Sequence, residues 1–260
     1  MQMHTSPLKI YAGLALMSLF CSQAQAAQFD ATLQWSKRAE LGVPVSGVVQ
    51  AIYADVGQRV AKGEKLLQLD DTVFKVRVKE AGSTLKSQIE HYKEAERELK
   101  RSMDLYERTV LSDHELQVAK NNAVKAAAMR DQAQADLVKA KQVLKYSSLR
   151  APFNALVLER HAQEGKVIAA GLKPQTLFVV ADADQMLARM YVSEAQLNQF
   201  KLGQTAKVML ADTQMEGVIK AIGFEPASGA SNTNSYPVDV EFKTANQVLR
   251  AGQHVKVEMP

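Results

Sequence analysis

The sequence predicts an elongated α+β protein in which a small β-sandwich is divided by an inserted helical hairpin and followed by a β-barrel. Two observations predict this arrangement. A segment at residues 45–63 recurs at residues 153–171, with valines and glycines at matching positions. Between the copies, residues 83–151 contain no glycine or proline and are rich in strong helix formers. Because each copy is too short to bury a core alone, we expect both to pack around one core.

The first residues, 1–26, predict a cleavable export signal. An apolar run at residues 10–20 is shorter than the roughly 20 residues that a membrane-spanning helix needs. A small-x-small cleavage pattern ends at Ala26, and cleavage there would remove Cys21, the only cysteine. A chain without free thiols suits an oxidising compartment. Lipidation of Cys21 is a rival interpretation, which the bulky Phe20 before it disfavours.

Short alternating apolar runs bounded by glycines predict strands on both sides of the insertion. They place the two halves of the divided module at residues 43–72 and 149–183. The β pattern continues through residues 184–260, with one short helical piece, and this segment predicts the barrel. Residues 27–42 are expected to form an N-terminal strand that joins the barrel.

Residues 73–148 predict an antiparallel α-helical hairpin with a coiled-coil seam. Apolar residues recur at alternating spacings of three and four, which is typical of a left-handed coiled coil. The run at 111–116 interrupts this pattern, and Ser112 is expected to cap the second helix with Glu115 in the capping-box position. The predicted seam of the first arm is Gly82, Leu85, Ile89, Tyr92, Leu99, Met103, Tyr106 and Val110. It pairs Val110 with Leu116 near the tip and Gly82 with Leu144 at the base.

The same pairing places Glu96 opposite Arg130, at the two positions where each seam turns polar. We predict an ion pair between them whose value lies in fixing the register, because a slipped pairing would bury an unpartnered charge. The alternative is that the two are unrelated surface charges.

The residues of the divided module resemble the split lipoyl-type domain of periplasmic adaptor proteins, also called membrane fusion proteins of the HlyD-like family. The resemblance is carried by VSGVV and VGQRVAKGEKLLQLD in the first half, and by LRAPFNALV, EGKVIAAG and LFVVAD in the second. LRAGQHVKVEMP, at residues 249–260, resembles the strand that closes the barrel of these proteins. Ala155 stands where the family usually has glycine.

Within the hairpin, Arg101, Leu105 and Ser112 fit the R-x3-L-x6-S pattern that such adaptors carry at the tip that docks onto TolC-like outer-membrane channels. Leu105 lies off the predicted seam and is therefore expected to face outward, where a solvated rod prefers a polar residue. The resemblance implies that Leu105 fills a groove between channel helices. Arg101 would hydrogen-bond to the channel, and Ser112 would satisfy polar groups at the turn.

The resemblance implies a non-enzymatic adaptor subunit of a tripartite efflux pump that exports small molecules such as drugs. It would lie in the periplasm, associated with the inner membrane through a transporter. A resistance-nodulation-division (RND) transporter is favoured, and an ABC-type exporter is the alternative. The other partners would be a TolC-like channel and further copies of this chain, expected to form a hexameric ring. The main alternative class is a periplasmic coiled-coil scaffold without an export role.

Several other classes are disfavoured by composition and spacing. The 32 Lys and Arg against 28 Asp and Glu give a net charge of only +4, without the basic, aromatic-studded stripe of a nucleic-acid binder. The histidines are scattered without carboxylate partners at metal-ligand spacing, so no metal is expected. Lys75 would lie in a helix and not on the tight turn that a lipoyl carrier needs. No cofactor or catalytic residue is expected.

Overall fold

This computed structural model describes residues 27–171, 175–210, 213–227, 235–245 and 247–259. The predicted export signal, including Cys21, lies outside these residues. In chain order the elements are β1 (Ala27–Trp35), β2 (Arg38–Leu41), β3 (Gly47–Ile52), β4 (Arg59–Val60), β5 (Lys65–Leu69), α1 (Thr72–Glu107), α2 (Asp113–Tyr146), β6 (Ser148–Arg150), β7 (Ala155–Arg160), β8 (Val167–Ile168), β9 (Phe178–Asp182), β10 (Gln185–Ser193), α3 (Glu194–Leu197), β11 (Thr205–Leu210), β12 (Thr213–Ile222), β13 (Ser235–Lys243) and β14 (His254–Met259).

Six strands close a barrel in the order β1-β10-β13-β12-β11-β14. Closure depends on β1, because it pairs antiparallel with β10 on one side and with β14 on the other. Side chains alternate between the two faces of each strand, so every second residue points into the barrel. The interior is filled by apolar residues that include Leu33, Met186, Met190, Val240 and Phe242.

The prediction for residues 27–42 is only half correct. β1 joins the barrel, but β2 pairs with β9 in the sandwich. The chain changes direction between them, where Ser36 Oγ donates to the carbonyl of Gln185 at 2.9 Å and Lys37 Nζ lies 3.1 Å from Asp182. These two contacts anchor the bend at the β9–β10 connection, so the segment contributes one strand to each domain.

The divided module is a sandwich of two four-stranded sheets, ordered β2-β9-β7-β4 and β6-β5-β3-β8. Each sheet takes strands from both sides of the hairpin. The repeated segments interlock reciprocally: Gly57 N donates to Val157 O, and Gly165 N donates to Val49 O, both at 2.9 Å. Both glycines have positive φ, +84° and +78°, a conformation that side chains disfavour. The matched glycines found in the sequence are therefore the turns through which each half completes the other.

The two ends of the hairpin insertion are fixed side by side at the sandwich. β5 leads into α1, α2 leads into β6, and these two strands pair antiparallel. The side chain of Gln68 on β5 donates to both the carbonyl and the hydroxyl of Ser147 at the end of α2, at 3.2 and 3.1 Å. Gln68 is 8% exposed and Ser147 is 1% exposed. Because buried polar groups are costly unless paired, this contact fixes where the hairpin leaves the sandwich.

α1 and α2 contain 36 and 34 residues, so each is about 50 Å long at 1.5 Å per residue. They run in opposite directions, as contacts along their length show. Tyr106 meets Asp113 beside the turn, and the guanidinium of Arg130 lies over the ring of Tyr92 farther down. In the described part of the chain, no helix is both long and apolar enough to span a membrane.

The helix register differs from the prediction. Gly82 was expected opposite Leu144, but it lies against Leu137, whose Cδ1 would be 4.0 Å from a Cβ at Gly82. The predicted pairing centred the turn near residue 113, whereas the structure turns between Glu107 and Asp113, centred near residue 110. The hydroxyl of Tyr106 donates to Asp113 Oδ1 at 2.7 Å, so the helices begin to pair immediately beside the turn. The earlier turn moves α2 by roughly one to two helical turns relative to α1.

The different register also changes the contacts of Glu96 and Arg130. Arg130 makes its ion pair with the adjacent Asp131, at 2.7 Å, and not with Glu96. Its guanidinium carbon lies 4.3 Å from the centre of the Tyr92 ring, and the Tyr92 hydroxyl donates to Glu96. The two predicted partners therefore meet through Tyr92. The hydrogen bond to Glu96 raises the pKa of Tyr92 above its ordinary value.

Candidate docking site at the hairpin tip

On the first side of the hairpin tip, α1 ends in a turn that contains a threonine with positive φ. Beyond Glu107, the last residue of α1, Thr109 N donates to Tyr106 O and Val110 N donates to Leu105 O. This is the hydrogen-bond pattern of a Schellman motif, which satisfies the last carbonyls of a helix. The motif requires a left-handed residue, and Thr109 takes that position with φ 59°. A β-branched side chain is disfavoured there, so the turn holds local strain.

The second side of the tip is the start of α2, where the predicted capping box is confirmed. Ser112 Oγ accepts from Glu115 N at 3.3 Å, and Ser112 N donates to Glu115 Oε2 at 3.0 Å. The Ser112 hydroxyl also donates to that carboxylate oxygen, at 2.7 Å. Hydrogen bonds from the side chain and then the backbone of Ser112 lower the pKa of Glu115. The turn between the helices is thus fixed from both sides.

The three residues of the docking pattern lie in this region, but each already has a role inside the chain. Arg101 is exposed and forms an ion pair with Glu98, one helical turn earlier, at 2.8 Å. The hydroxyl of Ser112 is engaged in the capping box. Leu105 was expected to face outward. This prediction is corrected, because the side chain is only partly exposed. Of the three, Arg101 and Ser112 are exposed, and the hydroxyl of Ser112 is held in the capping box.

Leu105 is partly buried because the observed seam near the tip differs by one residue from the predicted seam. The most buried residue there is Ser102, 7% exposed, and not Met103 as predicted. Ala95, one heptad earlier, is likewise less exposed than Glu96, its neighbour on the predicted seam. Small side chains at these positions let the helices approach closely, and the longer Met103 is displaced to the flank. Sequence analysis favoured the larger apolar residue and therefore missed this.

As a result, apolar residues assigned to the seam are exposed at the tip. We call Met103, Tyr106 and Val110 the tip patch; their exposed fractions are 45%, 38% and 70%. Met103 and Tyr106 are three residues apart and share one side of α1. Val110 lies beyond the helix end, in the turn, where its N–H donates to Leu105 O. Clustered apolar side chains that remain in water at a well-fixed turn are typical of a protein contact site. The arrangement can bind a partner, and it has no catalytic group.

The described residues give no sign of a metal centre. Within the described ranges, no three His, Cys, Asp or Glu side chains are placed to hold an ion. The chemistry available at the tip is hydrophobic contact, hydrogen bonding and charge.

A sandwich built from two halves around an inserted helical pair, and joined to a six-stranded barrel, defines the membrane fusion protein class of adaptors. Members of this class are adaptor proteins and not enzymes. The chain belongs to the family of the CzcB-like, barrel-sandwich hybrid domain, whose model matches residues 37–182. The match covers both halves of the sandwich and the hairpin between them.

Individual relatives support the same assignment. The chain is 28% identical over 240 residues to the macrolide export protein MacA of Yersinia pestis, covering 86% of this chain and 64% of that protein. It is 23% identical over 221 residues to the cobalt-zinc-cadmium resistance protein CzcB of Cupriavidus metallidurans, covering 81% of this chain and 41% of that protein. The chain therefore spans less than two thirds of the length of these relatives.

A solved structure shows the same fold. A membrane fusion protein from Streptococcus pneumoniae superposes with a TM-score of 0.68 at 16% identity, covering 90% of this chain and 98% of that one. At this identity the similarity concerns the fold alone.

Proposed function

We propose that this chain is a periplasmic adaptor that links an inner-membrane transporter to an outer-membrane channel in a tripartite efflux system. The observation that carries the proposal is the tip patch at the far end of the helical hairpin. Its apolar side chains stay exposed although the turn that presents them is fixed by a Schellman motif and a capping box. A rigid, apolar helical tip fits a hydrophobic groove between the helices of a partner.

The channel is proposed to contact the tip patch together with Arg101. Met103 and Val110 would supply the buried apolar contact that the sequence assigned to Leu105. Arg101, released from Glu98, would form charge-assisted hydrogen bonds at the rim. Leu105 and Ser112 would act indirectly, because they pack and cap the turn that holds the patch in place. A patch this small binds weakly alone, so a ring of copies, proposed to be a hexamer, would supply avidity.

The other end of the adaptor is proposed to contact the transporter through the barrel. Phe224 follows β12 and is 98% exposed. β12 ends beside the start of β13, where Gly223 N donates to Pro237 O, and Ser235 pairs with Ser193 at the end of β10. This barrel end is opposite to the one where β10 follows the sandwich. A fully exposed aromatic ring there favours a protein contact.

The type of transporter and the cargo are part of the proposal. An RND transporter is proposed as the favoured partner and an ABC-type exporter as the alternative. The named relatives, one macrolide export protein and one metal-resistance protein, keep both types in the proposal. Export would proceed without the adaptor performing chemistry. The predicted signal at residues 1–26 would deliver the chain to the periplasm.

The channel contact is tested with a photocrosslinker attached to a single cysteine in cells of the native host. The Cys21→Ser background keeps the thiol unique. Val110→Cys should capture an outer-membrane channel. Val124→Cys is the matched control, because both valines are 70% exposed and Val124 lies about 16 Å along α2 from its start. Equal capture from both positions would rule out docking specific to the tip, and capture from neither position would favour the scaffold alternative.

The transporter contact is tested in the same way from Phe224→Cys. Capture of a polytopic inner-membrane protein should follow, and its identity by mass spectrometry decides between the RND and ABC types. Capture of no membrane protein from this position would remove the proposed role of the barrel end.

A further inference from the structure

A slot opens in the barrel wall where β12 and β13 separate. β12 pairs with β11 from residue 213 to 218, but its pairing with β13 begins only at Gly217. A Cβ at Gly217 would lie 2.6 Å from Val240 Cγ1 and 3.1 Å from the carbonyl oxygen of Glu241. Only glycine therefore allows the two strands to approach at this point. Towards the start of β12 they diverge.

The slot has the size and the lining of a ligand site. Its volume is about 760 Å³, within the range of about 300–1,000 Å³ common for binding clefts. The floor is formed by interior side chains of the barrel, Ala206, Met215 and Phe242, all nearly buried. The rim carries Lys207 and Lys243, which belong to the outer surface. An occupant would thus meet an apolar floor between charged edges.

The main chain of β12 presents unused hydrogen-bonding groups to this slot. Ile219 N donates to Gln204 O, on the β11 side. In an antiparallel ladder the bonding direction alternates along the strand, so Met215 also bonds towards β11. Gln214 then directs its N–H and C=O groups the other way, into the slot, and Glu216 directs its N–H there. Pairing with β13 begins at Gly217 opposite Phe242, so the Glu216 carbonyl faces the N–H of Lys243, and the other three groups have no strand partner in the described sheet.

The charge of the rim is positive. Glu241 is already paired with Lys220, at 3.2 Å. Among the described residues, Lys207 and Lys243 form no ion pair, and Glu216 is the remaining carboxylate of the rim. Two free lysines against one free carboxylate favour an acidic side chain at the outer edge of an occupant.

We propose that the slot binds an extended peptide segment of a partner protein by strand addition beside β12. Gln214 would exchange both main-chain hydrogen bonds with the peptide and Glu216 would donate its N–H, while alternate side chains of the peptide would be apolar on the floor and acidic at the rim. Donors repeated every second residue match an extended backbone and not a compact small molecule. The site is distinct from the tip patch and from the barrel end at Phe224, so it adds a third contact surface.

The test uses the full-length exported protein and a defined probe, the capped peptide acetyl-Val-Asp-Val-Asp-Val-amide. Hydrogen exchange is followed residue by residue by NMR. At saturation, exchange of the Gln214 and Glu216 amides should slow by at least about tenfold, while Met215, already bonded to β11, changes little. A peptide with the same side chains and N-methylated backbone nitrogens is the matched control. It should give little protection, because its methyl groups block the close approach of the two strands and remove the donors for the Gln214 carbonyl.

Two variants complete the test. Gln214→Pro removes one donor that faces the slot, and proline is tolerated where a strand edge is unpaired. This variant should keep the exchange pattern of the barrel core and bind the probe at least about tenfold more weakly. Lys207→Glu with Lys243→Glu should also weaken binding, by several-fold, through charge. The proposal is overturned if millimolar probe gives no protection at Gln214 and Glu216, or if the N-methylated peptide binds equally well.

Discussion

The close approach of the two helices in the hairpin depends on buried alanines, and Ala133→Leu tests this. Ala133 is 5% exposed, and leucine would add three carbon atoms at a contact between helices. Overpacking of this kind costs about 1–3 kcal/mol. Because the added atoms have no space, α1 and α2 must separate or shift. The free energy of local opening of the hairpin should fall by that amount.

Hydrogen exchange measured by mass spectrometry reports this opening for each segment. A loss of about 1–3 kcal/mol corresponds to exchange about 5- to 150-fold faster in peptides from α1 and α2. Peptides from the sandwich should be unchanged, since their strands do not contact Ala133. Ala128→Leu, on an exposed position of the same helix, is the control and should stay within about 0.5 kcal/mol. Equal exchange in the two variants would refute the packing argument.

Three further predictions concern the tip and the sandwich core. Thr109→Gly should stabilise the tip by about 1 kcal/mol and slow exchange of the Val110 amide, since glycine takes positive φ without strain. The folded state lowers the pKa of Glu115 below 4.5, so its contribution to the stability of the cap is complete above pH 4.5 and is lost as the pH falls through the lowered pKa. Acidification should therefore open the start of α2 only while Ser112 is present. Leu67→Ala, at a fully buried position, should cost about 2–5 kcal/mol in urea unfolding.

Each of these has an outcome that would contradict it. Faster exchange in Thr109→Gly would mean that threonine is held there by a favourable contact. If Ser112→Ala gave the same acid response after correction for intrinsic exchange, the response would not come from the hydrogen bonds between Glu115 and Ser112. Val167→Ala, at a position 69% exposed on the surface of the sandwich, should cost no more than about 0.5 kcal/mol and serves as the control for Leu67.

The broad organisation was accessible from sequence because it rests on strong local signals. Gly57 and Gly165 mark turns that need positive φ, and the long segment without glycine or proline can only be helix. Ser112 and Glu115 predicted the start of α2, because their spacing is that of a capping box. These signals depend on neighbouring residues and are therefore readable without the fold.

The details that depend on tertiary contacts were not accessible. Ser102 is buried because a partner helix approaches closely, whereas a seam read from hydrophobicity selects Met103. Thr109 closes a Schellman motif, in which glycine is the usual residue, so its sequence carries no signal for the motif. The slot beside β12 arises from where β13 stops pairing, and no periodicity in either strand encodes that. For the same reason, the sequence predicted Leu105 to face outward, whereas its side chain is only partly exposed.

The buried contact between Gln68 and Ser147 has a consequence for how such proteins can diversify. Since the insertion enters and exits through neighbouring paired strands, its anchorage is independent of its length. Whole heptads could be gained or lost between these two points without disturbing the sheets. The length of the rod can therefore change one helical repeat at a time, while the turn at its tip and the sheets at its base remain unchanged.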